Sequence, residues 1–294
     1  MTEESDSLAR LAPSPESAAG YLFWLSRPRF WLYLAGPVLV GVAFGAPTPS
    51  ALLQPVTVVL FAYFLVPANL FLYGVNDIFD ADVDRHNPKK GDIGREVRFA
   101  GQRGTLAAVV GAGLGGLLLV PLLPTSALLA LAGFFALGIA YSAPPLRLKT
   151  RPGLDSVSNG LYVLPGVVAY TAVAGMTPPM AAVAGGWVWA MGMHTFSAIP
   201  DVEPDRAAGI RTTATVLGPG PTRWYCLACW VGAAALFALV HPLLGALLAV
   251  YPLFLATVSL GNVDIDRAYW WFPALNTLVG ALLTMGGLWV VLRG

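Results

Sequence analysis

The stretch LFLYGVNDIFDADVD, residues 70–84, decides the fold, because an apolar run ends there in a cluster of carboxylates. At about 100° per helical residue, Asn76, Asp77, Asp80 and Asp84 fall within one arc of roughly 100°. Carboxylates crowded on one face repel each other unless a cation lies between them. Oxygen-rich sites of this kind suit hard cations, above all Mg²⁺, which bridges carboxylates to substrate phosphates. The stretch therefore predicts a helix that leaves an apolar environment and presents a Mg²⁺ site.

The composition is that of a polytopic membrane protein. The chain has 294 residues, 56% of them hydrophobic and 11% charged, whereas soluble domains carry about 25% charged residues. A net charge of +1 gives no case for nucleic-acid binding. Apolar runs near the length of a bilayer crossing, about 20 residues, fall at 30–48, 51–76, 104–122, 125–142, 156–175, 180–199, 222–241, 243–261 and 269–291. The sequence thus predicts an all-α membrane protein with nine transmembrane helices.

The distribution of charge predicts the orientation of these helices. If the loops alternate from an inside N-terminus, every Lys and Arg except Arg293 lies on the inner side. Cytoplasmic loops of membrane proteins carry such an excess of positive charge. We therefore expect a cytoplasmic N-terminus, a location in the cytoplasmic membrane, and a polar site that opens to the cytoplasmic side.

The ends of the chain and its cysteines have simpler interpretations. Residues 1–20 are polar and rich in Pro, Ala and Ser, and predict a disordered tail before one transmembrane domain, residues 21–294. No removable signal peptide is recognisable. Cys226 and Cys229 have C-x-x-C spacing, but they lie in an apolar stretch without further cysteines, which favours packing over redox or zinc chemistry.

A second acidic cluster, residues 201–206, follows another apolar run. Asp201 and Asp205 have i, i+4 spacing, but Pro200 and Pro204 interrupt regular helix there. Upstream on the same run, His194 and Ser197 lie on the inward face, where both are candidates to bind substrate. A lone histidine in a membrane span is more often a packing residue than a ligand, but a substrate-binding role for His194 remains an alternative.

Polar residues beside the first cluster predict a pocket with a solvent-accessible opening and an apolar interior. Asn69 and Tyr73, which we expect to bind substrate, extend the face of Asn76 into the span. Diphosphate recognition needs basic side chains as well. Lys89 follows the first cluster, and Arg147 and Lys149 follow a helix end at Tyr141, so we expect all three to bind phosphate rather than only lipid head groups.

At these residues the chain resembles the UbiA superfamily of intramembrane prenyltransferases. The match includes N-D-x-x-D-x-x-x-D at 76–84, a Tyr-Ser-x-Pro-Pro-x-Arg-x-Lys segment at 141–149, and D-x-x-x-D at 201–205. It covers residues 20–294. The segment at 26–37 looks like the branch that elongates lycopene toward C50 carotenoids.

The resemblance implies a UbiA-type helical bundle that binds two Mg²⁺ ions and the diphosphate of an allylic isoprenoid. It assigns metal binding to Asn76, Asp77, Asp80, Asp84, Asp201 and Asp205. The residues expected to act in catalysis are Asp77, Asp80, Tyr141 and Asp201. Both greasy substrates would enter from the lipid, and no protein partner is predicted.

The expected reaction is ionisation of the donor to an allylic carbocation, followed by attack from a lipophilic acceptor. Tyr73, Phe79 and Tyr141 are candidates to shelter the cation, and the loops at 85–103 and 143–155 are candidates for a lid. The leading hypothesis is dimethylallyl transfer to lycopene. Arg27 or Arg29 would instead suit an aromatic-acid acceptor, and quinone or archaeal lipid precursors remain alternatives. A cation-coupled transporter fits less well, because no charged residue lies in the middle of a span.

Overall fold

The computed structural model describes residues 13–84, 97, 99, 101–207, 209–261 and 263–293, without the side chains of residues 82–84. Over these residues the secondary structure is helical, with no strand. The α-helices, in chain order, are α1 Ala18–Leu25, α2 Trp31–Gly45, α3 Pro55–Leu65, α4 Pro67–Asp84, α5 Arg103–Gly115, α6 Thr125–Ser142, α7 Leu154–Val157, α8 Leu164–Ala174, α9 Met180–Ser197, α10 Val202–Ala207, α11 Thr213–Leu217, α12 Pro219–Val240, α13 Pro242–Leu248, α14 Val250–Leu260 and α15 Ile265–Arg293.

Eight helical segments of the described chain are long and apolar enough to cross a membrane. Their outward surfaces expose large apolar side chains such as Leu118, Leu129 and Trp289, and an apolar surface of this extent favours lipid over water. The protein is therefore an all-helical, multi-pass membrane protein. The segments are Ala18–Gly45, Pro55–Ala81, Arg103–Leu122, Thr125–Ser142, Leu154–Ala174, Pro219–Val240, Pro242–Leu260 and Ile265–Arg293.

The ninth predicted span is helix α9, which is absent from those eight segments. It forms a complete helix of 18 residues, but His194, Thr195 and Ser197 lie in its last turn and make the segment less apolar. Helix α9 packs along α12 and against the 3-10 turn Ser158–Val163. A helix enclosed by other helices needs less lipid-compatible surface, so the ninth crossing stays a prediction.

Small residues allow close contact between helices on one side of the site. Gly41 of α2 lies directly against the carbonyl of Gly166 of α8, where a Cβ atom would clash with backbone. Gly166 in turn lies against the Pro37 carbonyl, 2.8 Å from where its own Cβ would be. Glycines at helix contacts of this kind bring two backbones together in the absence of a hydrophobic driving force. The contact fixes the position of α2, which borders both cavities described below.

The core consists of two clusters of buried side chains. The first joins α2, α3, α4, α6 and α8 around Phe64 and Phe134. The second joins α9, α12, α14 and α15 around Trp230, whose ring stacks on Phe272 at 5.6 Å. Tyr162 packs against both clusters. The boundary between the two halves of the bundle therefore passes through Tyr162, and the candidate site lies at this boundary.

The N-terminal part of the domain begins inside the range predicted as a tail. Helix α1 starts at Ala18, and the Ser17 side chain caps it by accepting a hydrogen bond from the Gly20 amide at 3.0 Å. Capping by serine satisfies one of the amides that a helix start leaves unpaired. Residues 1–12 of the predicted tail lie outside the described residues.

Candidate active site

The first acidic motif forms the last turns of helix α4, and its Asp77 is buried with 1% of its surface exposed. A buried carboxylate needs a cation or several hydrogen bonds to offset its lost hydration. Arg27 provides this charge, with its Nη2 atom 3.1 Å from Asp77 Oδ1. The same guanidinium lies over the ring of Tyr73, 4.7 Å from its centre. Asp77 therefore belongs to an inward-facing polar site, as the sequence predicts.

Asn76 and Asp80 meet the basic segment that the sequence predicts for phosphate binding. The Lys149 ammonium contacts Asp80 Oδ2 and donates to Asn76 Oδ1 at 2.9 Å. Arg147 Nη2 lies 3.2 Å from Asp80 Oδ1, and the Ser142 hydroxyl donates to Asn76 Oδ1 at 2.9 Å. Two motifs that are more than sixty residues apart in sequence thus form one charged cluster.

Chain geometry after helix α6 places these two cations. The helix ends at Ser142, because Pro144 and Pro145 cannot continue its hydrogen bonds. Arg147 then adopts a left-handed backbone with φ 40°, a region that L-residues enter only at a cost. This turn directs Arg147 and Lys149 back toward α4.

A polar cavity of about 200 Å³ lies beside this cluster. It includes the predicted residues Tyr73, Asn76, Tyr141, His194 and Ser197. Its other polar and aromatic walls are Arg27, Phe30, Tyr33, Asn159, Tyr162, Tyr269 and Phe272. The rings of Tyr141 and His194 meet edge to face, with centroids 6.0 Å apart. Aromatic rings in such number can stabilise a carbocation through their electron-rich faces.

Sequence reasoning missed several of these aromatic residues, and the reason is positional. Phe30, Tyr33, Tyr162, Tyr269 and Phe272 lie inside apolar runs, where an aromatic residue is normally a packing residue. Only the packing of α2 and α15 with the 3-10 turns Pro28–Phe30 and Ser158–Val163 brings them to one cavity. No spacing within a single run distinguishes them from neighbouring core aromatics.

The second acidic motif lies just beyond the end of helix α9. Asp201 ends the 3-10 turn Ile199–Asp201, and Asp205 lies in the short helix α10. Pro204 is tolerated because it occupies the first turn of α10, where its missing amide breaks no hydrogen bond. Neither aspartate lines the polar cavity. Among the described residues, no three His, Cys, Asp or Glu side chains lie together as a metal site.

Two predicted residues have other positions than expected. Asn69 is fully buried and lines neither cavity, so the expectation that it binds substrate is corrected. Its amide donates to the carbonyls of Phe64 (2.9 Å) and Leu65 (3.0 Å), which the break before Pro67 leaves without helical partners. Phe79 is 44% exposed and is likewise not part of the cavity wall.

Several other predicted positions lie outside the described residues. These are Lys89, the side chain of Asp84, and most of the expected lid segment 85–103.

A second, larger cavity adjoins the polar one. Its volume is about 620 Å³, and the two cavities share Tyr33, Tyr162 and Met193 in their walls. It extends along α2 to Phe44, about 16 Å from Tyr33 at 1.5 Å rise per residue. Its walls are almost entirely apolar, with few polar groups, Asn276 among them. The charged cluster and the polar cavity beside it thus lie next to a deep apolar cavity.

The first motif fits a divalent metal by the chemistry of its donors. Asn76, Asp77 and Asp80 offer amide and carboxylate oxygens, which are hard ligands. Mg²⁺ takes one or two carboxylates and completes its shell with water and substrate phosphate oxygens. The negative charge is already balanced by Arg27, Arg147 and Lys149, so an incoming cation would free these bases for an anionic ligand.

Comparison with known proteins agrees with this arrangement. Residues 34–278 match the UbiA prenyltransferase family, and the chain belongs to that family and is a prenyltransferase. It is 56% identical to a lycopene elongase/hydratase from Haloarcula japonica, over 99% of this chain and 98% of the relative. It is 61% identical to a lycopene elongase/hydratase from Haloferax volcanii, over 93% of this chain and 90% of the relative.

The fold has a counterpart among solved structures. A UbiA homolog from Archaeoglobus fulgidus, solved bound to GPP and Mg²⁺, superposes with a TM-score of 0.74. The match covers 92% of this chain and 99% of that protein, at 23% sequence identity. The UbiA-type helical bundle predicted from the sequence is therefore confirmed.

Proposed function

We propose that this protein is a Mg²⁺-dependent intramembrane prenyltransferase that transfers an allylic group from dimethylallyl diphosphate to lycopene. The observation that carries the proposal is the joining of two cavities. The polar cavity, which Asn76 lines beside the charged cluster, adjoins an apolar cavity of about 620 Å³. The high identity to lycopene elongase/hydratases of Haloarcula japonica and Haloferax volcanii supports lycopene as the acceptor.

The donor's diphosphate binds at the charged cluster. Arg147 and Lys149 are held by Asp80, within reach of an anion that arrives beside Asn76. Lys149 contributes a compact positive charge and Arg147 a planar fork for two phosphate oxygens. Lys89 joins them as a further phosphate ligand.

The metal site is formed by both acidic motifs. Asn76, Asp77, Asp80 and Asp84 would hold one Mg²⁺, and Asp201 and Asp205 would hold the second. Bound there, Mg²⁺ neutralises charge on the leaving diphosphate.

The aromatic walls then protect the cation. As the C–O bond breaks, its electron pair leaves with the diphosphate, and Tyr73, Tyr141, Tyr162 and Phe272 surround the allylic group. Their electron-rich faces stabilise positive charge and exclude bulk water. His194 supports Tyr141 through their ring contact, and Ser197 lines the same polar cavity.

The acceptor lies in the apolar cavity. A hydrocarbon that enters from lipid exchanges one apolar environment for another, and the cavity leads its end to Tyr33, Tyr162 and Met193, where the two spaces meet. Neither Arg27 nor Arg29, the candidate ligands for an acidic acceptor, lines the apolar cavity, and Arg29 donates to the Trp270 carbonyl at 2.8 Å. This favours an acceptor without charge over an aromatic acid.

The arrangement in the membrane follows the charge distribution. We propose nine crossings including α9, one domain from residue 21 to 294, a cytoplasmic N-terminus, and a site that opens to the cytoplasm. The strong inward bias of Lys and Arg supports this orientation.

The proposal is tested by offering acceptors in parallel. Purified protein in lipid receives Mg²⁺, dimethylallyl diphosphate, and either lycopene, 4-hydroxybenzoate or geranylgeranylglyceryl phosphate, and the products are identified by mass spectrometry. Lycopene enlarged by one C5 unit is the expected product. Prenylation of a different acceptor would keep the chemistry and reject lycopene as the substrate.

A further inference from the structure

One side-chain amide in the wall of the apolar cavity has a hydrogen-bond partner for its NH₂ group but, in the described part of the chain, none for its oxygen. Asn276 of α15 donates from Nδ2 to the Tyr33 hydroxyl of α2 at 3.0 Å. Its Oδ1 atom is buried, and it has no hydrogen-bond partner among the described residues. Buried polar atoms are nearly always paired, with protein or with ordered water.

Neighbouring polar residues of the same wall behave differently. Thr277 donates its hydroxyl to the Pro273 carbonyl at 2.9 Å, and Thr284 donates to the Gly280 carbonyl at 2.8 Å. Both threonines satisfy themselves within helix α15. Asn276, which lines the cavity, instead donates its amide across to α2, and its buried Oδ1 atom stays available as an acceptor.

The position of this amide matters because Tyr33 lines both cavities. The acceptor's double bond must reach the same boundary to meet a carbocation formed in the polar cavity. A small polar molecule held by Asn276 and Tyr33 would therefore lie next to the reacting carbons.

We propose that Asn276 and Tyr33 hold a water molecule that captures the carbocation left on the acceptor, so that the product is hydrated as well as elongated. This inference rests on the proposed function. Asn276 Oδ1 accepts a hydrogen bond from the water, and the Tyr33 hydroxyl orients it; both are water-positioning residues. The names of the relatives from Haloarcula japonica and Haloferax volcanii combine elongase and hydratase activities.

The chemistry balances without a further reactant. The π electrons of the acceptor's double bond form the new C–C bond to the allylic cation, which leaves a tertiary cation on the acceptor. A lone pair of the water forms a C–O bond to that carbon. The excess proton passes to an oxygen of the diphosphate released in the same turnover. Without a positioned water, loss of a proton from the adjacent carbon to the diphosphate gives an alkene instead.

The test measures how products divide between these two fates. Wild-type protein and Asn276→Leu are supplied with lycopene, dimethylallyl diphosphate and Mg²⁺ in H₂¹⁸O, and the ratio of hydroxylated to unhydrated elongated product is measured by mass spectrometry. We expect wild-type product to carry ¹⁸O. In the variant this ratio should fall by about tenfold, the factor that corresponds to about 1.4 kcal/mol. Thr277→Val is the control, because the Thr277 hydroxyl is adjacent in sequence to Asn276 but already donates to the Pro273 carbonyl. This variant should leave the ratio unchanged.

The outcomes separate this inference from the proposed function. An unchanged ratio in Asn276→Leu, or wild-type product without ¹⁸O, overturns the water site while elongation stands. Absence of any elongated lycopene from wild type overturns the proposed function itself. If Asn276→Leu does not fold, Tyr33→Phe replaces it, and an unchanged ratio in that variant is equally contradictory.

Discussion

Arg27 and Arg147 share both a backbone conformation and a role. They are the two non-glycine residues with positive φ in the described chain, at 51° and 40°. Each places its guanidinium on an aspartate of helix α4, Arg27 on Asp77 and Arg147 on Asp80. Strained backbone that persists at charged residues is typical of functional sites. The two arginines reach the acidic motif from different parts of the chain. Arg27 precedes helix α2, and Arg147 follows the Pro144-Pro145 turn.

We predict that backbone and charge effects at Arg147 can be separated. Left-handed conformation costs an L-residue roughly 1–2 kcal/mol, and glycine avoids that cost. Arg147→Gly should therefore unfold at a higher temperature in detergent than Arg147→Ala. Both variants should raise the KM for the diphosphate donor equally, since both lack the guanidinium. Equal melting temperatures would show that the turn at Arg147 carries no strain.

We predict that Lys149 is needed for donor binding more than for folding. Lys149→Gln should raise the donor KM by about tenfold to a hundredfold, because hydrogen bonds to charged groups contribute about 1.5–3 kcal/mol each. Steady-state kinetics of diphosphate release give this value. Arg211 is exposed, so Arg211→Gln is the matched control for loss of one positive charge. This variant should keep the donor KM within about twofold of the wild-type value. A Lys149 variant with normal KM would remove it from the site.

We predict that the second acidic motif contributes to metal binding. Asp201→Asn should raise the Mg²⁺ concentration needed for half-maximal activity, because an amide is a weaker ligand for a hard cation than a carboxylate. The exposed Glu203, which pairs with Arg206 at 3.6 Å, provides the control Glu203→Gln. If both variants show the wild-type Mg²⁺ dependence, Asp201 is not a ligand.

We predict that filling the apolar cavity blocks the acceptor and spares the fold. Gly36 lines the cavity, and a Cβ built there meets no atom within 4 Å. Gly36→Phe should therefore lower elongation of lycopene strongly while the melting temperature changes little. Gly111 has the same open surroundings but lies outside the cavity, so Gly111→Phe should elongate lycopene normally. Normal turnover by Gly36→Phe would place the acceptor elsewhere.

The sequence predicted the chemistry of the site better than its shape. The charged residues at 76–80 and 147–149 follow from helical spacing and from the need of a diphosphate for cations, and the structure brings them together. Asn69 shows the limit of this reasoning. The same spacing places it on the face of the motif, but its amide donates to carbonyls that the interruption of the helix before Pro67 leaves unpaired. The apolar cavity could not be predicted, because it depends on how α2, α9 and α15 cross rather than on any one segment.

The most direct test of the account compares wild type with Asp80→Ala in lipid vesicles that contain lycopene. Both receive dimethylallyl diphosphate, with Mg²⁺ or with excess EDTA, and the mass of the carotenoid product and the released diphosphate are measured together. The account predicts elongated lycopene and diphosphate from wild type with Mg²⁺ alone, and neither from Asp80→Ala or after chelation. Elongation that persists in folded Asp80→Ala, or without divalent metal, would contradict it.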